Sequence, residues 1–103
     1  MDFLELLTAR RSTRKFLDKK IEQDKIDKLI KAALLSPSSR RRDPWEFIFV
    51  TEQELLTKLS FCKEHGSAFI QGAPLAVVVL ADPKISDVWV EDTSIASILL
   101  QLQ

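Results

Sequence analysis

The chain has little of several things that usually announce a function. Among 103 residues there are one cysteine, one histidine and two glycines. A single cysteine excludes an internal disulfide framework and, with one histidine, gives no metal-ligand cluster, so no metal site is expected. No P-loop is present, and two glycines cannot supply the three of a Gly-rich dinucleotide fingerprint. No run approaches the roughly 18 apolar residues of a membrane span, and the opening MDFLELLTARRS is too charged for a signal peptide. The expectation is a soluble, cytoplasmic protein without a membrane partner. Internal repeats and low-complexity tracts are absent as well.

Excess charge is also missing: 15 Lys+Arg face 15 Asp+Glu. That balance argues against a dedicated nucleic-acid binder, yet it conceals an asymmetry. Residues 1–42 carry twelve Lys/Arg against six acids, and residues 43–103 carry three against nine. The first part is thus +6 and the second −6, which points to an anion-binding region near the N-terminus.

The pattern reads as a series of helices with two strands. Asp2 and Glu5 form a candidate capping box ahead of an apolar turn with Phe3, Leu4, Leu6 and Leu7. Residues 10–20 are basic, show no helical period and read as a connection. Over 22–35, Ile26, Leu29, Ile30, Ala33 and Leu34 make the stripe of an amphipathic helix, ended by Ser36-Pro37. Residues 45–50 are aromatic and β-branched and predict a strand. Thr51 and Glu54 form a second candidate capping box, with Leu55, Leu56 and Leu59 buried behind it. The unbroken apolar run 75–81 predicts a strand covered on both faces. From Trp89 to Gln103 the pattern is helical and apolar almost all round, as in a central or interface helix. It ends with no glycine cap, no basic last turn and no proline, so the chain reads as a fragment of something longer or as one that needs a partner to cover Leu99, Leu100 and Leu102.

Two basic clusters could carry chemistry: Arg10-Arg11-Ser12-Thr13-Arg14-Lys15, and Ser38-Ser39-Arg40-Arg41-Arg42. Guanidinium forks match phosphate oxygens in pairs, and neighbouring hydroxyls add neutral donors. The plainer reading makes them solvated loop charges and turn formers. His65 has no nucleophile or carboxylate arrangement around it and reads as a surface residue. Cys62, without a CxxC partner, reads as core filling, and Trp45 and Trp89 as packing anchors. Residues alone support an anion site on 10–15 and 37–42.

Four segments, in order and spacing, resemble the FMN-dependent nitroreductase family. They are Arg10-Arg11-Ser12-Thr13-Arg14-Lys15-Phe16, then Ser36-Pro37-Ser38-Ser39-Arg40-Arg41-Arg42-Asp43-Pro44-Trp45 with the strand after it, Ala73-Pro74-Leu75, and Val90-Glu91-Asp92-Thr93-Ser94-Ile95-Ala96. Arg41 and Asp43 stand where the family usually has Asn and Gln. The resemblance implies an α+β fold, a mostly antiparallel sheet flanked by helices, with residues 1–103 as the N-terminal portion of a nitroreductase-like domain. It implies a homodimer with FMN at the interface and NAD(P)H as electron donor. Arg10, Arg11, Ser12 and Arg14 would hold the flavin phosphate, ribityl chain and pyrimidine edge, and Pro37, Ser38, Ser39 and Arg41 would line the flavin from the other subunit. A flavin carries the hydride chemistry itself, so no catalytic side chain is expected. The reaction implied is ping-pong reduction of a small-molecule nitro, quinone or related acceptor. The alternative is a truncated or degenerate non-catalytic relative that dimerises without flavin.

Overall fold

The computed structural model describes residues 1–103. Four helices and two strands follow in order: α1 (Phe3–Ala9), α2 (Gln23–Leu34), β1 (Trp45–Val50), α3 (Gln53–Leu59), β2 (Ala76–Ala81) and α4 (Trp89–Leu102), with single 3₁₀ turns at Ser39–Arg41 and Ala68–Gly72. β1 and β2 pair as an antiparallel two-stranded sheet. The Asp82 N–H donates to the Pro44 carbonyl at 2.9 Å and continues the ladder past the end of β2. The fold class is α+β, as expected. Each strand is shared between two compact units.

The first unit holds residues 1–10, 23–47 and 79–103. Its first helix starts as the sequence predicts. The Asp2 carboxylate accepts from the Glu5 N–H at 2.8 Å and Glu5 accepts from the Asp2 N–H at 2.9 Å, which satisfies two donors that the first turn would leave open. α2 buries Ile26 and Ala33 and packs against α4, where Ala96 is fully buried. Small side chains of this kind let helix axes approach closely. Trp45 and Pro44 are buried at the start of β1, with the Trp45 and Phe47 rings 5.1 Å apart.

The second unit holds residues 11–22 and 48–78. α3 centres on Leu56, 1% exposed, and packs against the 3₁₀ turn Ala68–Gly72. The turn between them is tied by Ser67, whose hydroxyl donates to the Ser60 carbonyl at 2.8 Å and accepts from the Lys63 N–H at 3.3 Å. Gly66 lies in that turn at φ +92°, a conformation that strains any side-chain-bearing residue.

Several expectations require correction. Glu52, not Thr51, caps α3, and it makes no side-chain bond, so the second capping box does not form. Leu55 is exposed and Leu59 half-buried, because a seven-residue helix turns only one leucine fully inward. Cys62 is exposed in the turn after α3 instead of filling a core. Trp45 is an anchor but Trp89, at the first turn of α4, is 40% exposed. β2 is half-buried along most of its length, and Leu80 is exposed, since a paired strand covers an edge and not a face. Apolar surface is abundant: seven hydrophobic residues are buried, whereas eighteen large ones are exposed. They include Phe3, Leu4 and Leu7 of α1, which buries nothing, and Ile95 and Ile98 of α4.

Candidate functional site

The first basic cluster emerges from the C-terminus of α1. Arg10 is the C-cap in extended backbone, its N–H bonded to the Leu6 carbonyl at 3.0 Å, so its side chain leaves the helix just as the chain straightens. Arg10 belongs to the first unit; Arg11, Ser12 and Arg14 belong to the second. All four are exposed on irregular backbone. The guanidinium groups of Arg10 and Arg11 make no ion pair, and Arg14 spends one N–H on the Ser12 carbonyl at 3.3 Å. Several cationic forks therefore remain available to an anion.

The second cluster is built differently. Pro37 lies exposed beyond the end of α2, Ser38 and Ser39 are half-buried, and Arg41 is exposed. All four lie in the first unit. Three residues sit in the left-handed region: Arg40 and Arg41 at φ 54° and Asp43 at φ 46°. For side chains as large as arginine that conformation is uncommon and costs on the order of 1–2 kcal/mol each.

Hydrogen bonds hold the loop in this shape. The Ser38 hydroxyl donates to Asp43 Oδ1 at 2.6 Å and accepts from the Asp43 N–H at 2.9 Å, closing the 38–43 segment on itself. Inside that closure the Arg41 N–H reaches the Ser38 carbonyl at 3.2 Å and the Arg42 N–H the Ser39 carbonyl at 3.1 Å. Asp43 thus has a structural part of its own: an aspartate tolerates left-handed backbone, and its carboxylate accepts the hydrogen bond of the Ser38 hydroxyl. Arg42 turns away to Asp87, 3.8 Å from its carboxylate. Arg40 and Arg41 make no ion pair.

An anchor from outside the loop completes the arrangement. Asp92, in the first turn of α4, is 2% exposed. Its Oδ1 accepts from the Ser39 N–H at 3.0 Å and its Oδ2 from the Ser86 hydroxyl at 2.9 Å, while Ser86 in turn accepts from the Val88 N–H at 3.2 Å. Neither Asp92 nor Ser86 was assigned a role from sequence. A signal existed: Asp92 shares a helix face with Ala96, four residues on, and an acid on the inward stripe of a helix is rarely left without partners.

The donors present fit a phosphate-bearing flavin. The forks of Arg10, Arg11 and Arg41 are unspent and Ser39 keeps a free hydroxyl, whereas the Ser38 proton is committed to Asp43.

Comparison with known proteins places the chain in a family. The family model of the nitroreductases matches residues 7–87. Two archaeal relatives, from Methanothermobacter thermautotrophicus and Archaeoglobus fulgidus, are each 41% identical and are named as candidate NADH dehydrogenase/NAD(P)H nitroreductases. The matches cover 94% and 91% of this chain but 52% and 56% of theirs, so the chain spans about half the length of these relatives. The solved structure of an FMN-dependent nitroreductase from Clostridium difficile R20291 superposes with a TM-score of 0.93 at 48% identity, covering 97% of this chain and 58% of that one. With a family model matched over most of its length and a closely superposing solved structure, the chain belongs to the nitroreductase family.

Proposed function

We propose that this chain is the N-terminal, flavin-holding portion of an FMN-dependent oxidoreductase of the nitroreductase type. The observation that carries the reading is the loop 38–43, preshaped at the cost of three left-handed residues, within a chain of this family. Strain of that kind persists where a site needs a fixed geometry. The FMN-dependent neighbour from Clostridium difficile supports the choice of cofactor.

In this reading Arg10, Arg11 and Arg14 supply cationic donors to the flavin phosphate and pyrimidine edge, with the Ser12 hydroxyl beside them. Pro37, Ser38, Ser39 and Arg41 line the flavin from a second subunit: Ser38 keeps the loop closed, Ser39 offers its hydroxyl, and Arg41 a guanidinium. A guanidinium only donates, so Arg41 favours an electron-rich edge over a group that must also be accepted from. The chemistry that bound FMN supplies is hydride uptake from NAD(P)H and delivery, in ping-pong order, to a nitro, quinone or related acceptor. Phe3, Leu4 and Leu7 of α1 and Ile95 and Ile98 of α4 are exposed, and large apolar side chains left uncovered in this number favour a homodimer.

FMN titration of the purified chain, read by quenching of flavin fluorescence, tests the proposal. Saturable binding that weakens in Arg10→Ala is the expected result. A chain that takes up no flavin, yet sediments as a dimer, would replace it with the second reading: a non-catalytic dimerising relative, favoured by the same exposed faces of α1 and α4.

A further inference from the structure

A loop with three left-handed non-glycine residues needs neighbours that over-determine it. The closures within 38–43 come from the loop itself and travel with it. The bond from Ser39 to Asp92 is different, since it spans fifty-three residues and ties the loop to the first turn of α4. At its far side the carboxylate meets Ser86, which is 1% exposed and itself held by the Val88 N–H.

Burying a carboxylate is unfavourable unless its oxygens find donors. Both oxygens of Asp92 do, and neither donor is a cation. Any residue but proline at position 39 supplies that backbone N–H, so the requirement falls on position 92: a side-chain amide oxygen could imitate the acceptor there, an apolar side chain could not. Fixing the Ser39 backbone fixes where its free hydroxyl starts and the direction in which the chain enters Arg40 and Arg41.

We propose that Asp92 is a positioning residue for the flavin-binding loop: its buried carboxylate clamps the Ser39 amide and so presets the Ser39 hydroxyl and the Arg41 guanidinium for the cofactor. This deepens the proposed function and rests on it. Asp92, 2% exposed and with both oxygens occupied, acts through the loop and not on the flavin directly. Its effect on affinity is the avoided cost of ordering the loop at the moment of binding.

The test uses Asp92→Ala, Asp92→Asn and Ser86→Ala in the whole chain. Three readouts apply: amide hydrogen exchange at Ser39 without flavin, FMN affinity by fluorescence quenching, and thermal unfolding. In Asp92→Ala, Ser39 exchange should accelerate and FMN affinity fall, each about tenfold, as loss of one hydrogen bond to a charged group implies. Asp92→Asn keeps an oxygen for the Ser39 N–H and should restore most of both. Ser86→Ala leaves the carboxylate in place but unsteadied, and should lose a smaller part of each. If Asp92→Ala fails to fold, the asparagine and Ser86 variants decide, and wild-type exchange and affinity in Ser86→Ala would overturn the proposal. So would a folded Asp92→Ala with loosened Ser39 but unchanged FMN affinity, which makes Asp92 scaffold only. Absence of FMN binding by the wild type is separable: it overturns the flavin reading and the preset role with it, while the exchange data still show whether Asp92 holds the loop.

Discussion

The two basic clusters have nearly the same composition and opposite construction. Residues 10–15 lie on open, exposed backbone, where Arg14 bonded to the Ser12 carbonyl is the one side-chain contact. Residues 38–43 are closed by the Ser38–Asp43 pair, pinned by Asp92 and wound through three left-handed residues. A charge run is therefore not one kind of object. The first cluster has its donors free and its geometry to be set on binding; the second has met that ordering cost during folding, with part of its hydrogen bonding spent to do so.

The largest expected break between them is at the acids. Asp43→Ala removes the acceptor of the Ser38 hydroxyl and places alanine at φ 46°, where no side chain compensates. Together these should cost about 2–3 kcal/mol of stability. Asp18→Ala, on the exposed backbone that continues from the first cluster, should stay within about 0.5 kcal/mol. Denaturant melts of the two variants check this, and equal losses would mean that the loop is no more built than the segment.

Next come the arginines, with the effects moved from stability to affinity. Arg10→Ala should leave unfolding unchanged and weaken FMN binding by about 1.5–3 kcal/mol, the worth of a hydrogen bond from a charged group. Unchanged affinity in a flavin titration would remove Arg10 from the site. Arg42→Ala, by contrast, should be nearly silent for flavin, because its guanidinium faces Asp87 on the surface, where ion pairs are weak.

Much of the fold was legible because it depended on local pattern. Five apolar or aromatic residues among the six of 45–50 gave β1 at its observed bounds, and the stripe on α2 predicted its inward residues Ile26 and Ala33. Both basic clusters were found from charge runs alone. What stayed hidden was long-range or conformational. Nothing in Thr51-Glu52-Gln53-Glu54 tells which residue turns the chain into α3, and Cys62 lies in a turn whose path is set by Ser67 further on. The left-handed backbone at Arg40 and Arg41 has no glycine or asparagine to signal it. Asp92 stood in a motif read as a helix start, but its partner Ser39 is on the other side of the sheet in sequence, and only the folded chain brings them together.

The smallest effect is the most direct probe of the strained loop. At Arg40, φ is 54°, so glycine relieves the left-handed penalty of a Cβ, while the added freedom of the unfolded chain takes back part of the gain. Arg40→Gly should therefore be neutral or stabilising by up to about 0.5–1 kcal/mol. Arg42, two residues on, has ordinary right-handed backbone at φ −73°. There glycine relieves nothing and only enlarges the unfolded ensemble, so Arg42→Gly should destabilise by about 0.5–1 kcal/mol. The opposite signs, read as a difference in melting midpoint between two neighbouring Arg→Gly variants, separate backbone strain from charge, because each variant removes one arginine. Equal destabilisation in both would mean that Arg40 carries no strain, and the loop would then owe its shape to its hydrogen bonds, those to Asp43 and Asp92 among them.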